Sequence, residues 1–254
     1  MGMKLKDKNI RFSILVAFTI SVLGISSLPV RAGSAYRDTC YSICASAGYA
    51  YNIIYGHHGV FDVGAFLPVN PHFEGEVHLH ATTANTYTVG ISAQPKFPIR
   101  RNGKDCGEIL LETRLMYELF LRNRIHGLAA SFSVGYRWDY IYVKVGYGLR
   151  LASMMDLTSH STDNGILEPH NLVYHAEVFV RPHTSPWNLS FCVTDMTESQ
   201  MERMFTPIFI VNSYVDLSPH WRLEMSGRCK PVGIANLAPS FFGAEGKIGA
   251  RYRF

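Results

Sequence analysis

Beyond residue 32 no apolar run is long enough for a membrane-spanning helix, which needs about 20 mostly apolar residues. Yet the 254-residue chain is 47% hydrophobic and 13% aromatic, so its apolar content comes in short pieces. Charge of one sign is also missing once the front end is set aside. Against 24 Lys and Arg stand 20 Asp and Glu; residues 1–32 hold five of the bases and one of the acids, which leaves 19 of each in residues 33–254. That balance excludes a nucleic-acid partner, which would need a basic surface to meet phosphates. Cysteine is sparse: Cys40, Cys44, Cys106, Cys192 and Cys229 are scattered, and no pair has zinc-ligand spacing. Cys40 and Cys44 are near enough to pair or to stay reduced, and an odd total leaves at least one thiol unpaired in the monomer. There is no phosphate loop and no dinucleotide fingerprint, so no cofactor and no metal are expected. Repeats and linker-like composition shifts are absent too, so residues 33–254 read as one domain.

What is present begins with a leader. Lys4, Lys6, Lys8 and Arg11 form a basic start, an apolar stretch follows from Phe12 to Ile25, and Val30-Arg31-Ala32 ends it with modest or small residues at the −3 and −1 positions. This is the pattern of a cleavable secretory signal peptide over 1–32. As a membrane anchor it is short and diluted by Thr19, Ser21, Gly24, Ser26 and Ser27.

The remaining chain alternates apolar and polar residues in segments of about ten, the period of a strand whose two faces meet different surroundings. The pattern predicts twelve strands, at 47–56, 60–69, 73–82, 86–97, 108–121, 125–138, 140–152, 171–181, 187–195, 206–217, 221–230 and 243–254. Ten strands are the alternative. Gly56-His57-His58-Gly59 reads as the first turn, and the connection between the fourth and fifth strands reads as longer than its neighbours. The fifth segment, rich in Glu and Leu, also suits a helix, but its period of two decides for strand. The tenth has apolar residues on both faces. Nearly every strand puts aromatic rings on its apolar face. In a soluble two-sheet sandwich those rings would form a large exposed apolar patch. In lipid they face hydrocarbon, and the sheet must then close so that no backbone group is left unpaired. The fold expected is all-β, a transmembrane antiparallel up-and-down barrel.

The last strand carries a further signal. Lys247, Gly249, Tyr252 and Phe254 stand in the order polar, any, Gly, any, any, aromatic, any, aromatic. This resembles the C-terminal strand of bacterial outer-membrane β-barrel proteins, the segment their barrel-assembly machinery recognises. The resemblance implies an outer-membrane address in a Gram-negative envelope, with membrane lipid and the assembly machinery as partners.

The polar faces then line a lumen. Expected there are Glu74, Glu76, Glu112, Arg114, Glu118, Lys144, Arg150, Glu177, Arg181, Arg222, Glu224, Arg228 and Arg251, with the acids gathered on strands three to five and the bases on strands seven, eight, eleven and twelve. Two consequences compete. Walls that meet make a salt-bridged plug and a structural barrel; walls held apart make a narrow passive pore for small solutes. Two other functions have some footing in the sequence. Ser159-His160-Ser161-Thr162-Asp163-Asn164-Gly165 faintly resembles the His-x-Ser-Asn-Gly run of outer-membrane phospholipases. His160, Ser161 and Asp163 are therefore the residues a lipid hydrolase would use, although here the Ser is adjacent to the His and would face the other way on a strand. The long connection at 153–169 would serve a surface receptor or adhesin. His78 and His80 share a face with Glu74 and Glu76 and carry competent metal donors, but read better as polar lining. Amino-terminal sequencing of the exported protein is expected to begin at Gly33; a start at Met1 removes the signal-peptide reading.

Overall fold

In the computed structural model, residues 40–70, 72–101, 104–121, 125–154, 166–196, 207–232 and 240–254 are described. They build twelve strands: β1 (Ser42–Asn52), β2 (Gly56–Asn70), β3 (Phe73–Thr82), β4 (Thr86–Arg101), β5 (Lys104–Phe120), β6 (Ile125–Trp138), β7 (Ile141–Met154), β8 (Ile166–Phe179), β9 (Trp187–Thr194), β10 (Ile208–Asp216), β11 (Trp221–Val232) and β12 (Ser240–Arg253). Each strand pairs antiparallel with its sequence neighbours, and β1 pairs with β12 from Ser42↔Arg253 to Asn52↔Gly243, so the sheet closes into a barrel. Closure removes the two edges that a sheet of this apolarity would otherwise expose. No helix among the described residues is long and apolar enough to cross a membrane.

The period-two pattern sorts the faces as the sequence predicts. Phe132, Val145 and Ile248 lie outside, each more than half exposed, at 52%, 54% and 58%. Aromatic rings collect at the two ends of this apolar belt. Near the chain termini Trp221, Tyr252 and Phe254 contact one another with centroids 5.0 and 5.2 Å apart, and Trp138 meets Tyr140 at 5.9 Å. At the far end Tyr49 and Tyr51 flank His57, and Tyr117 meets His126. Amphipathic rings belong at the two membrane–water boundaries, so an apolar band between two aromatic girdles is the surface of a membrane-spanning barrel.

Three local expectations are corrected. The first turn is at 53–55, not at Gly56–Gly59: the Asn52 carboxamide oxygen accepts from the Ile54 and Tyr55 amides at 3.0 and 2.7 Å, and Gly56 ends the turn at φ +69°. His57 and His58 therefore belong to β2. The connection from β4 to β5 is short, because the strands run on to Arg101 and Lys104. An irregularity between Pro98 and Arg100, with Gly107 at φ +111°, carries the ladder past the proline; a Cβ on Gly107 would lie 2.6 Å from the Arg137 carbonyl oxygen. β7 runs to Met154 and β8 begins at Ile166, so both strands extend into the 153–169 expected as connection. Replacing Phe132, at the middle of β6, with Arg is expected to cost about 2–4 kcal/mol, the penalty of a cation at the hydrocarbon midplane, read by reversible unfolding from lipid vesicles.

Candidate functional site

Alternation delivers the polar residues to the inside, but two strands contribute almost no bulk there. The inward face of β1 is Ser42, Cys44, Ser46, Gly48 and Ala50, and that of β6 includes Gly127, Ala129, Ser131, Ser133 and Gly135. Long charged side chains from the flanking strands lie over these two small-residue faces. Across β6, Lys144 of β7 donates to Glu112 of β5 at 2.7 Å, and Arg150 of β7 donates to Glu118 of β5 at 2.6 Å. Across β1, Lys247 of β12 donates to Asp62 of β2 at 2.5 Å. The room is sterically required. A Cβ on Gly48 would lie 2.0 Å from the Gly246 carbonyl oxygen and 2.7 Å from Cγ of Lys247. One on Gly127 would press on the Glu118 carboxylate at 3.3 Å.

Asp62 is the most heavily used acid. One of its carboxylate oxygens is within 3.0 Å of Nε2 of His78 and 2.7 Å of Nδ1 of His80; the other accepts from Lys247 and from the Ser46 hydroxyl at 3.3 Å. Both histidines of the possible metal set are thus turned to Asp62. Among the described residues no three His, Cys, Asp or Glu side chains are grouped to hold a metal ion. Lys247 continues to Glu245 at 3.0 Å, and Glu245 to Arg228 at 3.7 Å. Elsewhere Glu74 pairs with Lys96, Glu112 with Arg114 at 2.8 Å, Glu108 with Arg137 at 2.6 Å and Glu224 with Arg251 at 2.7 Å. Asp216 takes both Arg222 and Arg253, at 2.7 and 3.1 Å. Glu112–Arg114 and Lys247–Glu245 each lie within one strand, and the other pairs join strands that are adjacent or one apart, so the bonds run along the wall.

A cavity lies between the walls. Of about 250 Å³, it is bounded by Glu74 and Glu76 of β3 on one side and by Cys192 and Thr194 of β9 on the other. These strands are six apart in a ring of twelve, hence diametrically opposed. At roughly 30 Å³ per liquid water the space holds about eight molecules. The wall also carries apolar side chains. Ile208 and Ile210 of β10 pack with Cys192, and Met196, just past β9, packs with Met116, Ala129 and Val173. This is why β10 is apolar on both faces.

No family model matches the chain, and no curated protein matches it. Several solved structures share its architecture. The KdgM porin in complex with disordered oligogalacturonate is similar at 8% identity, over 84% of this chain and 99% of that one, with a TM-score of 0.50. The translocator domain of the autotransporter NalP from Neisseria meningitidis is similar at 12% identity over 98% of each chain, with a TM-score of 0.48. The Acinetobacter baumannii outer membrane protein Omp33 is similar at 9% identity, over 85% of this chain and 98% of that one, with a TM-score of 0.44. The chain has the fold of bacterial outer-membrane β-barrels. At such low identities the likeness is one of fold.

In this outer-membrane barrel fold the lining departs from sequence expectation in two ways. Arg181 is not part of the lumen. It lies beyond the end of β8, exposed in the turn, with its guanidinium 3.8 Å above the Trp187 ring. The two walls of opposite sign do not exist either. Asp62, Asp216 and Glu245 sit among the bases, and Lys96 and Arg137 among the acids. None of these five is in the expected lining, although the alternation places them inside, as it does Asp62 between outward Phe61 and Val63. The runs of small inward residues on β1 and β6 were legible in the same way. Of the C-terminal signature, Lys247 is buried in the bore and Tyr252 and Phe254 lie in the aromatic girdle. Gly249 lies against β1, where a Cβ would come within 2.5 Å of that of Ser46. His160, Ser161 and Asp163 lie outside the described residues. No disulfide joins any two of the five cysteines, so Cys40 and Cys44 are not bridged. Asp62→Ala is expected to lower stability in urea by about 3 kcal/mol, because it leaves Lys247 buried without its closest acid; adding Lys247→Met should recover part of that loss.

Proposed function

We propose that this protein is an integral outer-membrane barrel serving as a narrow passive pore for small polar solutes. The observation that carries this reading is the direction of the ion pairs. They fasten neighbouring strands along the wall and leave about 250 Å³ of bore between opposite sides. Because acids and bases alternate around the wall, the bore presents no net field of one sign. It therefore suits neutral and zwitterionic solutes and discriminates weakly between small anions and cations.

The same reading covers biogenesis and placement. Residues 1–32 export the chain. The signature Lys247, Gly249, Tyr252 and Phe254 delivers it to the barrel-assembly machinery, and membrane lipid surrounds the apolar belt. With an even number of strands both termini face the periplasm. The end of the barrel at which β7, β9 and β11 finish and β8, β10 and β12 begin then faces outside.

Planar-bilayer recording of the refolded residues 33–254 tests the pore. Steady conductance below that of a 16-stranded porin is expected, with a reversal potential near zero in a KCl gradient. Inserted barrels that stay silent would instead mark a structural protein with a blocked bore.

A further inference from the structure

The wall of the cavity holds a set of side chains that neither ion pairing nor passage of solutes requires. In the β8–β9 ladder His175 pairs with Thr194 and Glu177 with Cys192, and Ser190 follows two residues before Cys192 on the same face. The sulfur of Cys192 lies 3.5 Å from Nδ1 of His175 and 3.8 Å from Nε2. Nε2 of His175 lies 3.4 Å from one oxygen of Glu177, and the other oxygen accepts from the Ser190 hydroxyl at 2.5 Å. The Tyr142 ring, with its centroid 4.8 Å from that of the imidazole, supports it from β7. Thiol, imidazole, carboxylate and hydroxyl thus stand in relay order. That is the arrangement in which a base takes the thiol proton and an acid holds the base in place. Cys192, His175 and Glu177 all border the open cavity.

The surroundings decide which chemistry this serves. Acyl transfer would need hydrogen-bond donors aimed at a developing oxyanion. The Thr194 hydroxyl is committed to the carbonyl oxygens of Tyr174 and Met196, both at 2.8 Å, and the strand amides around Cys192 belong to the ladders with β8 and β10. Metal capture is not favoured either, since no three-ligand group exists among the described residues. Thiol–disulfide exchange needs neither an oxyanion hole nor a metal. It needs a thiolate, access and a proton for the departing sulfur.

We infer that Cys192 is a thiol-exchange site in the lumen wall, which captures small disulfides entering the bore. His175 takes the Cys192 proton. The thiolate attacks one sulfur of the disulfide R–S–S–R, that bond breaks, and a Cys192–S–S–R mixed disulfide forms. The departing R–S⁻ takes the proton from His175 and leaves as the thiol. No electrons are gained or lost overall, and a small thiol reverses the step. The captured group occupies the cavity and narrows the passage; that last consequence rests on the pore reading, the exchange itself only on an accessible cavity.

The test uses residues 33–254 refolded with Cys40, Cys44, Cys106 and Cys229 replaced by Ser, and 2-hydroxyethyl disulfide as the probe. Mass spectrometry should show one thiol-releasable adduct on the folded barrel. His175→Gln should slow its formation about tenfold at pH 7, since an ordinary thiol is only a few per cent ionised there. The difference should vanish as pH rises past the usual thiol value of about 8.5. The titratable and charged groups around the cavity that Cys192 borders are His175 and Glu177 of β8, Tyr142 and Lys144 of β7, Glu112 and Arg114 of β5, Arg228 of β11, and Glu74 and Glu76 of β3; β10 offers only Ile210 and Asn212. Where His175→Gln does not refold, by gel mobility with and without heating, Glu177→Gln should give a smaller slowing. A folded barrel that stays unlabelled while its urea-unfolded form labels readily overturns the site. So does an equal rate in wild type and His175→Gln. A barrel that conducts, labels and keeps its full conductance overturns the narrowing. One that labels but never conducts keeps the exchange site and sinks the pore.

Discussion

Long charged side chains that point into a closed barrel must find both an opposite charge and the space to reach it. Here the space comes from β1 at Ser42 to Ala50 and from β6 at Gly127 to Gly135, where the inward residues are no larger than Ser, Cys or Ala. Lys144 and Arg150 lie over β6, and Lys247 lies over β1. Without those gaps the same cations would project toward the axis and meet acids from the opposite side. The bore would then fill with crossing salt bridges. Small residues on two strands therefore govern both the pairing and the opening.

The β1–β12 junction shows the coupling most directly. It is the junction that closes the sheet, and its ladder runs eleven residues. Lys247 ties it further by reaching past β1 to Asp62, so three strands are held by one ammonium group. Asp62 accepts from four side chains at once. A carboxylate so enclosed is stable only while its partners remain, because a buried charge without compensation is costly. Toward the cavity β9 and β10 offer the uncharged Cys192, Thr194, Ile210 and Asn212, opposite the acids of β3. They supply no counter-charge that could reach over, which leaves that diameter unbridged.

Strand positions, the outward belt and the girdles follow from the chain's alternation, since a period of two assigns each residue to a face once the strand is recognised. The misplacements have local causes. Gly56-His57-His58-Gly59 resembles a turn, but Asn52, four residues before Gly56, caps the turn with its carboxamide, so the reversal comes sooner. Pro98 suggests the end of β4, yet an irregularity absorbs it and the strand continues to Arg101. Arg181 has lumen parity but lies past the end of β8 and stacks on Trp187. The division into acidic and basic walls failed because it followed the long clusters and passed over single residues such as Asp62 and Lys96.

By itself the sequence determined a chain of short two-faced strands, apolar outward and charged inward, because alternation needs only neighbouring residues. Which charges meet was decided by the tertiary structure. Closing the ring sets the register between strands, and register brings Lys247 to Asp62 across 185 positions and His175 to Cys192 across 17. Those distances along the chain carry no periodic signal. Only the stagger of one strand against the next turns them into contacts of a few ångströms.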